Sequence, residues 1–292
     1  MSQTFGRAVH SFIGHLQGTS RSQQTIASYK SDLNQLSLYL KKRFPKDYEQ
    51  LSKLTPAVLG EFMIAMDQAK EKTNTKRRKL LTIQKFLRYL SSRKKISTVL
   101  SNRIPTPHKI EKSPQMFELK SVLTAIEKLP ADSHLLSRNK LILWMLAETG
   151  CQVSELCGLT FDDFTNGERP NVVITGKSAR NIPISQELRI AVFEHRQFSA
   201  GSHYLFRGFS RAGALPGKIS DRAIELVVKS YRAELGEKNL TPRAFRRTIV
   251  MQWFEQGLTQ AEIKSRLGLK SDYAFKLYEP LLKQNHKKQN KV

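Results

Sequence analysis

The sequence predicts a mainly α-helical protein of two domains, the second carrying a small β-hairpin, and three observations predict it. Apolar residues recur at steps of three and four through the first hundred positions. A proline-containing stretch, residues 101–115, then breaks that period. Beyond it, helical stripes flank one pair of short β-like runs. With 292 residues, 39% of them hydrophobic, the chain has material for two cores.

Ile26, Tyr29, Leu33, Leu36 and Leu40 mark the inner face of a helix that Ser20 or Ser22 caps. Val58, Leu59, Phe62 and Met66 predict a second helix, opening near Thr55 and Pro56 because proline fits a first helical turn. A third runs from Lys76 to Leu90 with Leu80, Ile83, Phe86, Leu87 and Leu90 inward, and its first turn is four consecutive cations, Lys76, Arg77, Arg78 and Lys79. Pro105, Pro107 and Pro114 then forbid regular helix. Leu141 to Leu159 predicts two helical pieces parted at Gly150, and NVVIT (171–175) and NIPI (181–184) predict strands joined by GKSAR. Helices resume in SQELRIAVFEH and SDRAIELVVKSYRAEL, then in LTPRAFRRTIVMQWFEQG and TQAEIKSRLG, the last opening on a Thr259/Glu262 capping box. The expected domains are therefore 1–100 and 116–278, with a linker at 101–115 and a tail at 279–292.

Forty-nine Lys and Arg against 25 Asp and Glu leave a formal charge of +24. Residues 1–112 hold 22 of the cations and 7 of the acids, so the excess is densest there. So large a surplus points to a polyanionic partner, with nucleic acid ahead of RNA-only or anionic-lipid binding. The run at 76–79 reads either as a solvated charged face or as a helix end presented to phosphates. No stretch reaches the ~20 apolar residues a membrane span needs, and the start, MSQTFGRAVH, lacks the apolar core of a secretory signal. A cytoplasmic, nucleoid-associated address follows by elimination. Cys151 and Cys157 read as reduced core thiols, and the seven histidines show no ligand spacing, so no metal and no small-molecule cofactor is expected.

Four motifs in order carry a family likeness: TGCQVSELCGLTFDDF from Thr149, ITGKSARNIPIS, LTPRAFRRTIVMQWFEQG and LGLKSDYAFKLYEPL. Together they resemble the tyrosine recombinases of the phage-integrase family. The resemblance implies a helical, SAM-like core-binding domain followed by a catalytic-type domain. It also implies a C-shaped clamp on double-stranded DNA, with protomers on paired half-sites forming a homo-oligomer. In such enzymes a tyrosine oxygen attacks a backbone phosphate, giving a 3′-phosphotyrosine and a free 5′-hydroxyl; arginines clamp the phosphate and a lysine protonates the leaving oxygen.

Carried over by position, Tyr278 stands at the nucleophile, Arg246 at the second arginine and Lys177 at the hairpin lysine. Three other positions are changed: Gln152 stands at the first arginine, Arg243 at the first histidine and Leu269 at the His/Trp position. Arg180, Arg247 and Lys270 lie near enough in sequence to serve as substitute cations, and Glu155 is expected to complete a buried ion pair or cap beneath the site. Two lost donors cost roughly 10⁴–10⁶ in rate if independent. The expectation is thus a DNA-binding protein with strand exchange lost or impaired; the alternative is an active recombinase that cleaves through Tyr278 with substitute cations.

Overall fold

In a computed structural model the chain divides into two units, residues 1–112 and 113–292. The described residues are 4–19, 21–97, 104–110, 116–165, 167–199, 201–276 and 278–279, with the side chains of residues 177, 273 and 274 also outside the description.

Among the described residues, four α-helices build the first unit. The sequence reading assigned no helix before Ile26, yet α1 covers Phe5–Gln17, where Thr4 accepts the Arg7 amide and Phe5, Ala8, Phe12 and Leu16 turn inward. That spacing of three and four is the helical signal itself. Helix α2 (Gln23–Arg43) is capped by Ser22, whose hydroxyl accepts the Thr25 amide; Ser20 lies outside the described residues. Helix α3 (Pro56–Gln68) starts as expected, with Thr55 as cap and Pro56 in the first turn. Helix α4 (Thr73–Ser92) begins three residues earlier than its apolar stripe predicts. Leu33, Leu36, Leu40, Ile83, Phe86, Leu87 and Leu90 are fully buried, and Phe5 meets Phe86 edge-to-face at 5.6 Å. Each such side chain is worth about 1.5–3 kcal/mol of burial.

Residues 104–110, read from sequence as linker, lie against α4. Ile104 is buried, Gln84 donates to its carbonyl at 2.8 Å, and the Asn74 amide exchanges two hydrogen bonds with the Ile110 backbone. Residues 101–103 and 111–115 lie outside the description.

The second unit is organised around α6 (His134–Thr149), preceded by α5 (Leu119–Glu127). Residues Leu141 to Ala147 are all buried, so this stretch of the helix is apolar all round and forms the centre of the core. The short α7 (Val153–Leu156) follows Gly150. Strands β1 (Asn171–Ile174) and β2 (Arg180–Pro183) pair antiparallel, Ile174 opposite Arg180, with the turn at Gly176–Ser178. Helix α8 (Gln186–Arg196) comes next, then a second hairpin, β3 (Arg207–Ser210) with β4 (Gly213–Lys218), for which no strand was anticipated. Its GALPGK strand carries two glycines and a proline, which mask the β signal. Helix α9 (Asp221–Ser230) is shorter than its stripe suggested; helices α10 (Pro242–Glu255), α11 (Gln260–Leu267) and α12 (Asp272–Phe275) complete the unit. The Thr259/Glu262 capping box opens α11 as expected.

Both cysteines are buried and unpaired, with burial pushing Cys151 up to about 11 and Cys157 up to about 12, so neither is a ready thiolate. No helix among the described residues is long and apolar enough to cross a membrane.

Candidate functional site

Two helix ends in the second unit converge on one arginine. Helix α6 ends at Thr149 and Gly150 follows at φ +58°; α11 ends at Leu267 and Gly268 follows at φ +67°. Both left-handed positions favour glycine because a Cβ there is strained. They are also crowded, since a Cβ on Gly150 would sit 2.7 Å from Ile249 Cγ2 and one on Gly268 2.8 Å from the Arg180 guanidinium.

Arg246, on α10, fills the space between these helix ends. Its guanidinium donates through Nη1 to the Gly150 carbonyl at 2.5 Å and through Nη2 to the Leu267 carbonyl at 2.8 Å. The carbonyl ends of two helices carry partial negative charge, which accommodates a buried cation without a carboxylate. Arg246 is 8% exposed and forms no ion pair among the described residues. Its third contact is Nε to the Tyr278 hydroxyl at 3.1 Å. Tyr278 is itself buried, its ring against Phe275.

Beside this pair stands a clip built on Glu155. Arg180 grips that carboxylate with two hydrogen bonds, 2.7 and 2.9 Å, and donates through Nε to the Arg266 carbonyl at 2.6 Å. The pair is almost wholly withdrawn from water, with side chains 4% and 14% exposed. Glu155 also accepts the Gln152 amide at 2.8 Å, so it is both the ion pair and the cap anticipated. Burial acts to raise the Glu155 carboxyl, but Arg180 and the Gln152 amide outweigh it and hold the group below the ordinary carboxylate range. Arg180 is thus committed to a structural bond, and its reading as a loose substitute cation is corrected.

The other positions separate clearly. Gln152, Arg243 and Lys270 are exposed, Arg247 is half-buried, and Leu269 packs partly buried against the core. Arg243 lies one turn before Arg246 on α10, at the edge of the same face. The Lys177 backbone sits in the turn between β1 and β2, but its side chain lies outside the described residues. Residues 280–292, most of the expected tail, also lie outside the description.

In the first unit the basic run at α4 is engaged rather than bare. Lys76 pairs with Asp67, Arg77 donates to the Pro107 carbonyl at 2.7 Å, Arg78 pairs with Asp32 at 2.7 Å, and Lys79 pairs with Glu71 at 2.5 Å. Lys79 is 4% exposed, so the picture of four cations presented together is corrected there: its ammonium is turned into the fold by a carboxylate eight residues earlier. These pairs leave no signal in the sequence, because Asp32 and Asp67 lie on other helices and Glu71 in the loop before α4.

Comparisons with known proteins agree with this arrangement. The profile of the "Phage integrase family" matches residues 115–285, and that of the "Phage integrase, N-terminal SAM-like domain" matches residues 9–94. The tyrosine recombinase XerC of Roseiflexus castenholzii is 28% identical over 94% of this chain and 88% of its own. XerC of Syntrophus aciditrophicus is 25% identical over 86% and 84%. Among solved structures, XerH site-specific recombinase in a post-cleavage complex with a palindromic difH substrate superposes with a TM-score of 0.72. That match has 15% identity over 99% of this chain and 94% of the other. A lambda integrase dimer bound to a COC′ core site gives 0.68 at 15% identity, over 94% and 77%.

Proposed function

Because this chain belongs to the phage integrase family of tyrosine recombinases, we propose that it binds duplex DNA at a specific site, with the family's strand exchange lost or severely slowed. The observation that carries the reading is the Arg246–Tyr278 pair set among changed neighbours. A cation without a carboxylate, fixed beside a tyrosine hydroxyl, is a seat for a phosphate oxygen. The groups that would share the load are weakened on either side, because Gln152 can donate but brings no charge and Leu269 offers no donor. Each absent donor costs ~10²–10³ in rate. Affinity has no such dependence, since it comes from cations spread along both units.

Were the chemistry to run, the Tyr278 hydroxyl would give up its proton to solvent and its oxygen would form a bond to phosphorus as the bond to the 5′ oxygen broke, with Lys177 supplying the proton to that leaving oxygen. Arg246 would hold a non-bridging oxygen as negative charge grew on phosphorus. Arg243, at the edge of the same helix face, keeps a positive charge near the phosphate but cannot accept a proton as a histidine does. No metal or cofactor enters this scheme. Protomers would occupy paired half-sites as a homo-oligomer, the helical domain 1–100 and the domain 116–278 both contributing phosphate contacts.

A nicked suicide substrate tests the catalytic part. The expected result is no covalent DNA adduct; an adduct that disappears in Tyr278→Phe would establish an active recombinase instead. Competition among duplex DNA, RNA and anionic vesicles at matched salt tests the ligand, and stronger retention by RNA or vesicles would overturn the DNA reading.

A further inference from the structure

Within the basic run of α4, Lys76 to Lys79, one cation differs from the rest. Lys79 is buried, Lys76 leans on an exposed Asp67, and Arg77 is tied to a backbone carbonyl, whereas Arg78 is 45% exposed yet anchored to a residue with no exposure at all. That anchor is Asp32 on α2. Its Oδ2 accepts from Arg78 Nη1 at 2.7 Å and from the Thr82 hydroxyl at 2.9 Å. The same Arg78 Nη1 donates to the Ser28 hydroxyl at 2.5 Å.

Two features mark this as more than a stabilising ion pair. Asp32 Oδ1 is buried with no hydrogen-bond partner, a costly arrangement that a well-packed apolar pair would avoid. And both protons of Nη1 are taken, so the orientation of the guanidinium plane is fixed while the Nε and Nη2 edge has no partner among the described residues. A rigid, half-exposed fork of two parallel N–H groups matches the O6/N7 edge of guanine. It loses little side-chain freedom on binding because the freedom is already spent.

We propose that Arg78 reads a base edge in the bound duplex and that Asp32 is the positioning residue that aims it. This rests on the duplex-binding reading above. Electrostatics alone gives the opposite expectation for Asp32, since removing an acid raises the net charge and tightens binding to any duplex.

The test is enrichment of preferred sequences from a randomised duplex pool by the full chain, by Arg78→Lys and by Asp32→Asn. The lysine variant keeps the charge and removes only the fork. The wild type is expected to enrich a motif, and both variants to lose preference at one or two adjacent base pairs. Their affinity for the wild-type motif should fall by about 5- to 100-fold, with binding to the random pool unchanged or tighter. Enrichment of an unaltered motif by Arg78→Lys overturns the proposal, and that variant alone decides if Asp32→Asn does not fold. A wild type that holds the random pool tightly without enriching any motif overturns base reading and leaves duplex binding standing; one that does not bind duplex removes both.

Discussion

Arg246 Nε donates to the Tyr278 hydroxyl oxygen across 3.1 Å, joining residues thirty-two positions apart at the one point where two helix ends also meet the same guanidinium. Removing that arginine leaves the Gly150 and Leu267 carbonyls buried without a donor. Arg246→Gln is expected to cost about 2–5 kcal/mol of stability, from an unmet-acceptor penalty of about 1–3 kcal/mol each. The denaturant midpoint measures it, and an unchanged midpoint would show that these carbonyls find other partners.

Gly150→Ala meets two obstacles, a left-handed φ of +58° and a Cβ 2.7 Å from Ile249 Cγ2. About 2–4 kcal/mol of destabilisation is expected. Adding Ile249→Val should recover part of it by making room, whereas the backbone component should remain. Thermal unfolding of the single and double variants separates the two contributions.

Breaking the clip beneath the site should be costly in one direction only. Glu155→Gln leaves the Arg180 guanidinium buried without its counter-charge, for a loss of about 3–5 kcal/mol. Replacing both residues by methionine should cost less than the sum of the single changes. Equal and additive losses in that cycle would show that the two groups do not depend on each other.

Acid should weaken the second unit. His195 is fully buried on α8, with Ser137 on its Nδ1 at 2.9 Å and His134 and Arg138 nearby. Burial first, then the charges of His134 and Arg138, push it down to about 4, and burial lowers His134 as well. The unfolded chain takes up protons below about pH 6.5 while the folded His195 stays neutral, so stability is complete above that pH and falls as pH drops toward 4. The loss from His195 is about 3 kcal/mol at the end of that window. His195→Asn should flatten the dependence, and a melting temperature equally steep with pH in that variant would locate the effect elsewhere.

Salt should loosen the DNA complex steeply. Engagement of ~6–10 phosphates gives a slope of roughly −5 to −9 in log affinity against log salt. Neutralising Lys79 should leave the slope almost unchanged and lower stability instead, because its ammonium is turned to Glu71. A slope near −1 for the wild type would mean that the surplus charge does not meet the duplex.

Much of this architecture is legible in the sequence, and the exceptions have physical causes. Helices with a proline or serine at the entrance and a clean stripe, such as α2 and α3, declare themselves. Helix α1 has an equally regular stripe, but Gly6 and Gly14 within it weaken its helical signal. The second hairpin hides behind glycine and proline. At the site, the identities of Arg246, Tyr278 and Glu155 follow from motif position, but the commitment of Arg180 to Glu155 depends on side-chain direction across a hairpin and a helix turn. The same holds for Asp32 and Arg78, brought together from forty-six positions apart.

The acids beneath the basic turn of α4 divide labour among its cations. Asp32, Asp67 and Glu71 cancel at long range the attraction of the residues they hold, so the most cationic stretch of the chain contributes little to drawing a polyanion in from solution. Capture falls to the unpaired lysines and arginines elsewhere, which tolerate exchange for one another. Recognition at close quarters falls, on the reading proposed above, to the tethered Arg78, where even a lysine-for-arginine swap would be felt.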